Sequence, residues 1–215
     1  MPITVYLADD HAVVRDGLRH LLEAESDISV IGDCANGREA THEVRRLNPT
    51  VMVMDIAMPE LNGIDATRII HETCPDTRVL ILSMYYTTEH VFQALQAGAQ
   101  GYLLKESAGK ELVNAVRAVH SGNRYLSQKI TEVVIDDYIH NKGHATSPLE
   151  SLSPRERQIL QMVVEGKASK AIAQILYLSP KTVETYRSRM MQKLDIEDFP
   201  SLVRFAIQHG LTTLT

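Results

Sequence analysis

Five polar residues in the first half of the chain are of types that handle phosphate: Asp9 with Asp10, Asp55, Ser83 and Lys105. Each closes or directly follows a short apolar run, namely Ile3 to Ala8, Val51 to Asp55, Arg78 to Ser83 and Gly101 to Leu104. Singly they have ordinary explanations, Asp10 as the cap of a following helix and Lys105 as a solvated loop lysine. Five such residues at the ends of successive runs are harder to dismiss. If the runs are neighbouring strands, three carboxylates converge, and they repel or take up protons unless a cation neutralises them. Oxygen donors select a hard ion, Mg²⁺ or Mn²⁺. With a hydroxyl and a fixed ammonium beside it, the cluster is a phosphoryl site. Asp55 would attack phosphorus in line, while the ion and Lys105 hold the charge on the equatorial oxygens.

Such convergence needs a parallel sheet. The first 120 residues alternate β-branched runs with amphipathic stretches, the pattern of a doubly wound α/β sheet covered on both faces. Five strands are expected, over Ile3 to Ala8, Ile28 to Cys34, Val51 to Asp55, Arg78 to Ser83 and Gly101 to Leu104. Between them Val14, Leu18, Leu21 and Leu22 share a helical face, a second helix opens near Asn36 and closes before Pro49, and Leu112, Val116 and Val119 mark the last helix. Open parallel sheets bind ligands beyond the carboxyl ends of their strands, where the five polar residues fall.

The 215 residues allow two domains, and 44% hydrophobic with 23% charged residues excludes a disordered or fibrous chain. Apolar runs such as Val51 to Met54 and Val79 to Leu82 are too short to span a bilayer. The start lacks a basic leader and two cysteines, Cys34 and Cys74, make no disulfide framework, so a soluble cytoplasmic protein is expected. A net charge of −5 argues against a nucleic-acid binder until it is divided along the chain. Residues 1–130 hold 12 Lys and Arg against 17 Asp and Glu, whereas residues 148–215 hold 9 against 7. The positive end is the C-terminal one.

Residues 131–139 still read as helix, and 141–150 read as a polar linker interrupted by Gly143 and Pro148. Beyond it Ser153-Pro154-Arg155-Glu156 is a capping box with proline in the first turn, and Ser179-Pro180 repeats the serine cap. Between these starts Ile172, Ile175 and Leu176 mark a short helix, and Tyr177-Leu178 leaves room for a tight turn. Short helix, tight turn and longer basic helix are helix-turn-helix geometry. On the last of these Val183, Tyr186, Met190 and Leu194 face the core, so Lys181, Glu184, Thr185 and Ser188, flanked by Arg187 and Arg189, face a groove. Glu184 can accept from cytosine N4 and Thr185 can offer its methyl to thymine; alternatively Glu184 only pairs with Lys181 or Arg187 along its helix. A final helix from about Pro200 to Gly210 carries Leu202, Phe205 and Ala206 on a face that either packs internally or joins a dimer surface.

Four segments, DDH at Asp9 to His11, MDIAMPELNGID from Met54, ILSMY from Ile81 and AGAQGYLLK from Ala97, resemble a flavodoxin-like receiver domain over residues 1–121. LSPRERQIL from Leu152 and LSPKTVETYRSRMMQKL from Leu178 resemble the LuxR-type helix-turn-helix, over residues 148–215, with 122–147 as helical extension and linker. Together they are similar to a response regulator of the NarL/FixJ type. The resemblance implies Asp55 as phosphoacceptor, Asp10 and Asp55 with the Ala57 carbonyl as metal ligands, Asp9 as the acid beside them, and Ser83 and Lys105 as phosphate partners. Tyr102 matches a switch aromatic that turns inward when Ser83 moves toward the phosphate; otherwise it is a half-exposed strand aromatic. The resemblance also implies a sensor histidine kinase as donor, double-stranded promoter DNA as target, a homodimer when phosphorylated, Lys181 with Thr182 on phosphates, and Glu184, Thr185 and Ser188 on bases.

Three positions depart from the pattern. Ser169 and Ala171 stand where Asn and Glu are usual, which puts phosphate contacts from that helix in doubt, and Tyr186 stands where His is usual. Tyr186 either offers its hydroxyl to a phosphate or packs between Val183 and Met190. A dehalogenase-like phosphohydrolase shares the aspartate nucleophile but needs a general acid two residues on, where this chain has Ala57. A protein-binding helical module is disfavoured by the basic helix. His140 and His144 have metal-ligand spacing but no third partner.

Overall fold

The computed structural model describes residues 2–140 and 148–212 and divides into two compact units, Met1–Lys142 and Gly143–Thr215. The 141–147 linker segment and His144 lie outside the described residues, as does the side chain of His140.

In the first unit the strands are β1 (Ile3–Ala8), β2 (Ile28–Cys34), β3 (Val51–Asp55), β4 (Arg78–Ser83), β5 (Gly101–Leu104) and β6 (Tyr125–Leu126), all parallel in the order β2-β1-β3-β4-β5-β6. The sheet therefore has six strands where five were expected. Tyr125 pairs with Gly101 and Leu126 with Tyr102, and two residues are too few to show an alternating pattern. Helices α1 (Ala12–Glu23), α2 (Gly37–Leu47), α3 (Gly63–Thr73), α4 (Thr88–Gln96), α5 (Ala108–His120) and α6 (Gln128–His140) complete the unit.

The strand period of two separates two cores. Val51, Val53, Leu80 and Leu82 pack with Leu18 and Leu22 of α1 and Leu112, Val116 and Val119 of α5. Met52, Met54, Val79 and Ile81 pack with Val44 of α2, Ile70 of α3, Val91 of α4 and Ile130 of α6. Leu21, expected on the inner face of α1, is exposed. Asn36 caps α2 by accepting from Glu39 N, which sets the start of that helix where the sequence places it.

The second unit holds α7 (Pro154–Val164), α8 (Ser169–Leu176), α9 (Pro180–Leu194) and α10 (Phe199–Gln208) around Ile159, Leu160, Ile172, Val183, Met190, Leu202 and Ala206. The capping box at Ser153 is complete: its hydroxyl accepts from Glu156 N, and Glu156 Oε2 accepts from Ser153 N at 2.7 Å. The same carboxylate oxygen meets Lys193 of α9 at 2.7 Å, tying the ends of two helices together. Between α8 and α9, Tyr177 adopts φ +55 to make the turn. Leu202 and Ala206 of α10 are buried in this unit's own core, so their face packs internally.

Candidate functional site

Because β1 and β3 are neighbours and β4 and β5 follow in order, the carboxyl ends of four strands meet at one edge. Asp9 and Asp55 are buried there, Asp10 is exposed, and ligand atoms of Asp9, Asp10, His11 and Asp55 all lie within 4.8 Å of one another. The Lys105 ammonium sits between two acids, 2.7 Å from Asp9 Oδ2 and 2.8 Å from Asp55 Oδ2. Burial works against that ammonium, yet Asp55 and Asp9 outweigh it and hold its pKa above the ordinary lysine value. Burial pushes the Asp55 carboxyl up to about 6; Lys105 opposes the rise and Asp9 adds to it. Its other oxygen accepts from Ile56 N at 2.8 Å. The donor set is hard and anionic, and it fits a divalent cation.

The loop from β3 to α3 carries Ala57 past this edge. It folds back by a bond from Gly63 N to the Ile56 carbonyl at 2.9 Å. A Cβ at position 63 would lie 1.9 Å from the Asp55 carbonyl oxygen, so only glycine lets α3 start this close to the site.

Ser83 is buried at the end of β4, where its Oγ accepts from Tyr85 N at 3.0 Å. Tyr102 is wholly buried and its hydroxyl donates to the Tyr85 carbonyl at 2.8 Å, so the half-exposed alternative falls away. Burial raises the Tyr102 pKa, keeping the phenol a donor. One residue of the β4–α4 loop is thus gripped on its N–H by Ser83 and on its C=O by Tyr102. Tyr85 also stacks on His90, with ring centroids 4.7 Å apart.

In the second unit Lys181, Glu184, Thr185, Ser188 and Arg189 are exposed along α9, while Thr182 and Arg187 are half-buried. Val183 and Met190 are buried, and Tyr186 and Leu194 pack partly against the core. Tyr186 also lines a depression with Ser179, Lys181, Thr182, Thr185 and Arg189, so it both packs and reaches the outer surface. The Thr185 hydroxyl donates to the Lys181 carbonyl at 3.0 Å, a bond internal to the helix. Ser169 of α8, expected to make fewer polar contacts than the usual Asn, donates to the Glu184 carboxylate and accepts from Arg187 at 3.2 Å. Arg187 also lies 3.6 Å from Glu184.

Three participants are not marked by residue type and spacing. His11 Nδ1 lies 2.7 Å from Asp10, Tyr85 is held on its N–H by Ser83 and on its C=O by Tyr102, and Ser169 bonds to Glu184. The DDH run contained the first signal; the other two depend on contacts between elements.

A doubly wound sheet with an acidic carboxyl edge, carried in one chain with a helix-turn-helix unit, is the composition of a two-component response regulator. Residues 5–117 match the response regulator receiver domain and residues 150–206 match the bacterial regulatory proteins of the luxR family. The chain is 39% identical over 212 residues to the oxygen regulatory protein NreC of Staphylococcus carnosus, covering 96% of this chain and 98% of that one. It is similar to a LuxR-family response regulator from Aurantimonas sp. SI85-9A1, at 34% identity, TM-score 0.63, and 65% and 100% coverage. It is also similar to the RcsB response regulator solved as two dimers bound to two parallel DNAs, at 25% identity, TM-score 0.61, and 95% and 98% coverage. The chain belongs to the response regulator family with a LuxR-type output domain, and is a phosphorylation-controlled, DNA-binding transcription regulator. No described helix is long and apolar enough to cross a membrane.

Proposed function

We propose that Asp55 is the phosphoacceptor and that Asp10, Asp55 and the Ala57 carbonyl, with Asp9 beside them, hold Mg²⁺ or Mn²⁺. The observation carrying this reading is the Lys105 ammonium within 2.8 Å of both Asp9 and Asp55, a fixed cation aimed at two buried acids. A bound divalent ion supplies positive charge to the oxygens that stay on phosphorus. Asp55 attacks phosphorus as the bond to the kinase histidine nitrogen breaks, and the nitrogen regains a proton. Lys105 steadies the phosphoryl charge, and Ser83 moves toward the phosphate to donate its hydroxyl to a phosphoryl oxygen, a movement that carries Oγ away from Tyr85 N and loosens the β4–α4 loop. Later hydrolysis of the acyl phosphate returns Asp55, the chain acting on itself alone. A small phosphodonor with Mg²⁺ adds one acid-labile phosphate to the full chain, and Asp55→Asn abolishes it; equal labelling of that variant sinks the assignment.

For the output unit, taken as 148–215, Lys181 and Thr182 contact phosphates and Glu184, Thr185 and Ser188 read bases, with Arg187 and Arg189 at the flanks of the groove. A sensor histidine kinase is the donor, promoter DNA the target and the cytoplasm the compartment. Phosphorylation promotes a homodimer, since a second half-site makes the next contact effectively intramolecular. Sedimentation before and after phosphorylation tests this; an unchanged mass where DNA affinity rises overturns it.

A further inference from the structure

The acidic strand end is also gripped from the helix that follows it. Arg15, in the first turns of α1, donates Nη1 to the main-chain carbonyl of Asp9 at 2.6 Å and Nε to Asp33 Oδ2 at 2.8 Å. One turn later Arg19 donates Nη2 to the other oxygen of Asp33 at 2.6 Å and Nη1 to the Val30 carbonyl at 3.3 Å. Asp33 lies near the end of β2, and its carbonyl accepts the Tyr6 hydroxyl at 3.1 Å. Its carboxylate is thus shared by two guanidinium groups. Burial pushes Asp33 up, but the bonds from Arg15 and Arg19 outweigh it and hold its pKa below the ordinary carboxylate range.

Isolated surface ion pairs contribute little. Arg15 differs because one end of its fork reaches the backbone of the site itself. The Asp9 N–H is bonded to the Cys34 carbonyl at 3.2 Å, and the Asp9 C=O is bonded to Arg15. The peptides on both sides of Asp9 are thus each held by one polar group, and the bond from Arg15 is the one that orients the peptide leading into Asp10. The Asp9 carboxylate is separately held by His11 N at 2.9 Å and by Lys105.

We propose that Arg15, braced by Asp33, is a positioning residue for the phosphoryl site, fixing the peptide from which Asp9 and Asp10 present their carboxylates. The inference rests on the reading of this cluster as a divalent-ion site. Outer residues that orient metal ligands are worth about 10–100-fold in affinity, and a lysine cannot reproduce a two-ended guanidinium contact.

The test titrates the full chain with Mn²⁺, followed by water-proton relaxation, and measures labelling by a small phosphodonor so that kinase docking plays no part. Arg15→Ala is expected to raise the Mn²⁺ dissociation constant about tenfold and to slow labelling in step, with Asp33→Asn and Arg15→Lys falling between it and the natural chain. Thermal unfolding in chelator separates this from general damage, since a purely structural arginine would shift the midpoint and leave Mn²⁺ affinity in the folded protein unchanged. Unchanged affinity in Arg15→Ala overturns the inference, whatever the midpoint does. Failure of the natural chain itself to bind Mn²⁺ overturns the site reading, a different result from equal binding by both proteins.

Discussion

The acidic edge of the sheet and the outer face of α9 are both polar sites, yet they are built in opposite ways. At the edge, Asp9, Asp55, Ser83 and Lys105 come from four strands, and all but Lys105 are buried. On α9 the corresponding residues come from one helix, and all but the half-buried Thr182 and Arg187 stand in solvent. Charges out of water interact strongly and tolerate little displacement, whereas exposed charges are screened and act additively. The first site should therefore fail as a unit, and the second should weaken residue by residue.

Lys105→Ala is the largest expected effect. It strips the cation from two buried carboxylates, and breaking such a pair costs about 3–5 kcal/mol. Urea unfolding in chelator should show that loss, and Mg²⁺ should restore a good part of it. If Mg²⁺ restores nothing, the acids do not share their cation site with a metal.

Next is the pH response of Asp55 without metal. Its folded pKa of about 6 exceeds the ordinary 3.8, so the folded chain holds the proton more tightly between those values. Stability is lost as pH rises through this window, and above it the ionised buried acid remains a cost. Asp55→Asn should therefore unfold later than the natural chain at pH 7 in chelator, by about 1–3 kcal/mol, with the difference fading toward pH 4. A gain of equal size at both pH values would place its cause elsewhere.

On α9 the effects shrink and separate. Glu184→Ala should relax preference at one base pair by about 1–3 kcal/mol in a selection over a mutated operator library. Ser169 and Arg187 hold the Glu184 carboxylate toward α8, so an unchanged preference at every position would leave it a structural ion-pair residue. Lys181→Ala should weaken all sites alike and lower the salt slope by about one unit. A sequence-dependent loss there would erase the contrast between positioning and reading within this helix.

The five longer strands, the start of α2 near Asn36, the Ser153 capping box and the inward positions Val183 and Met190 were all legible in the chain, because each is set by neighbours within a few residues. Alternation along Val51 to Met54 decides which core each side chain joins, and a serine three residues before a glutamate decides where a helix begins. The types and strand-end places of Asp9, Asp55, Ser83 and Lys105 were equally legible. What the tertiary structure alone decided is which groups touch. Tyr125–Leu126 is a strand only because β5 offers it an edge, and Leu21 is exposed while Leu18 and Leu22 of the same helix are buried. The burial of Tyr102 and its hold on Tyr85, the capture of Glu184 by Ser169, and the reach of Arg15 to the Asp9 carbonyl all join different elements. Local periodicity fixes a side chain's direction about its own element, but hydrogen-bond distance between elements depends on how they pack, and no spacing along the chain encodes that.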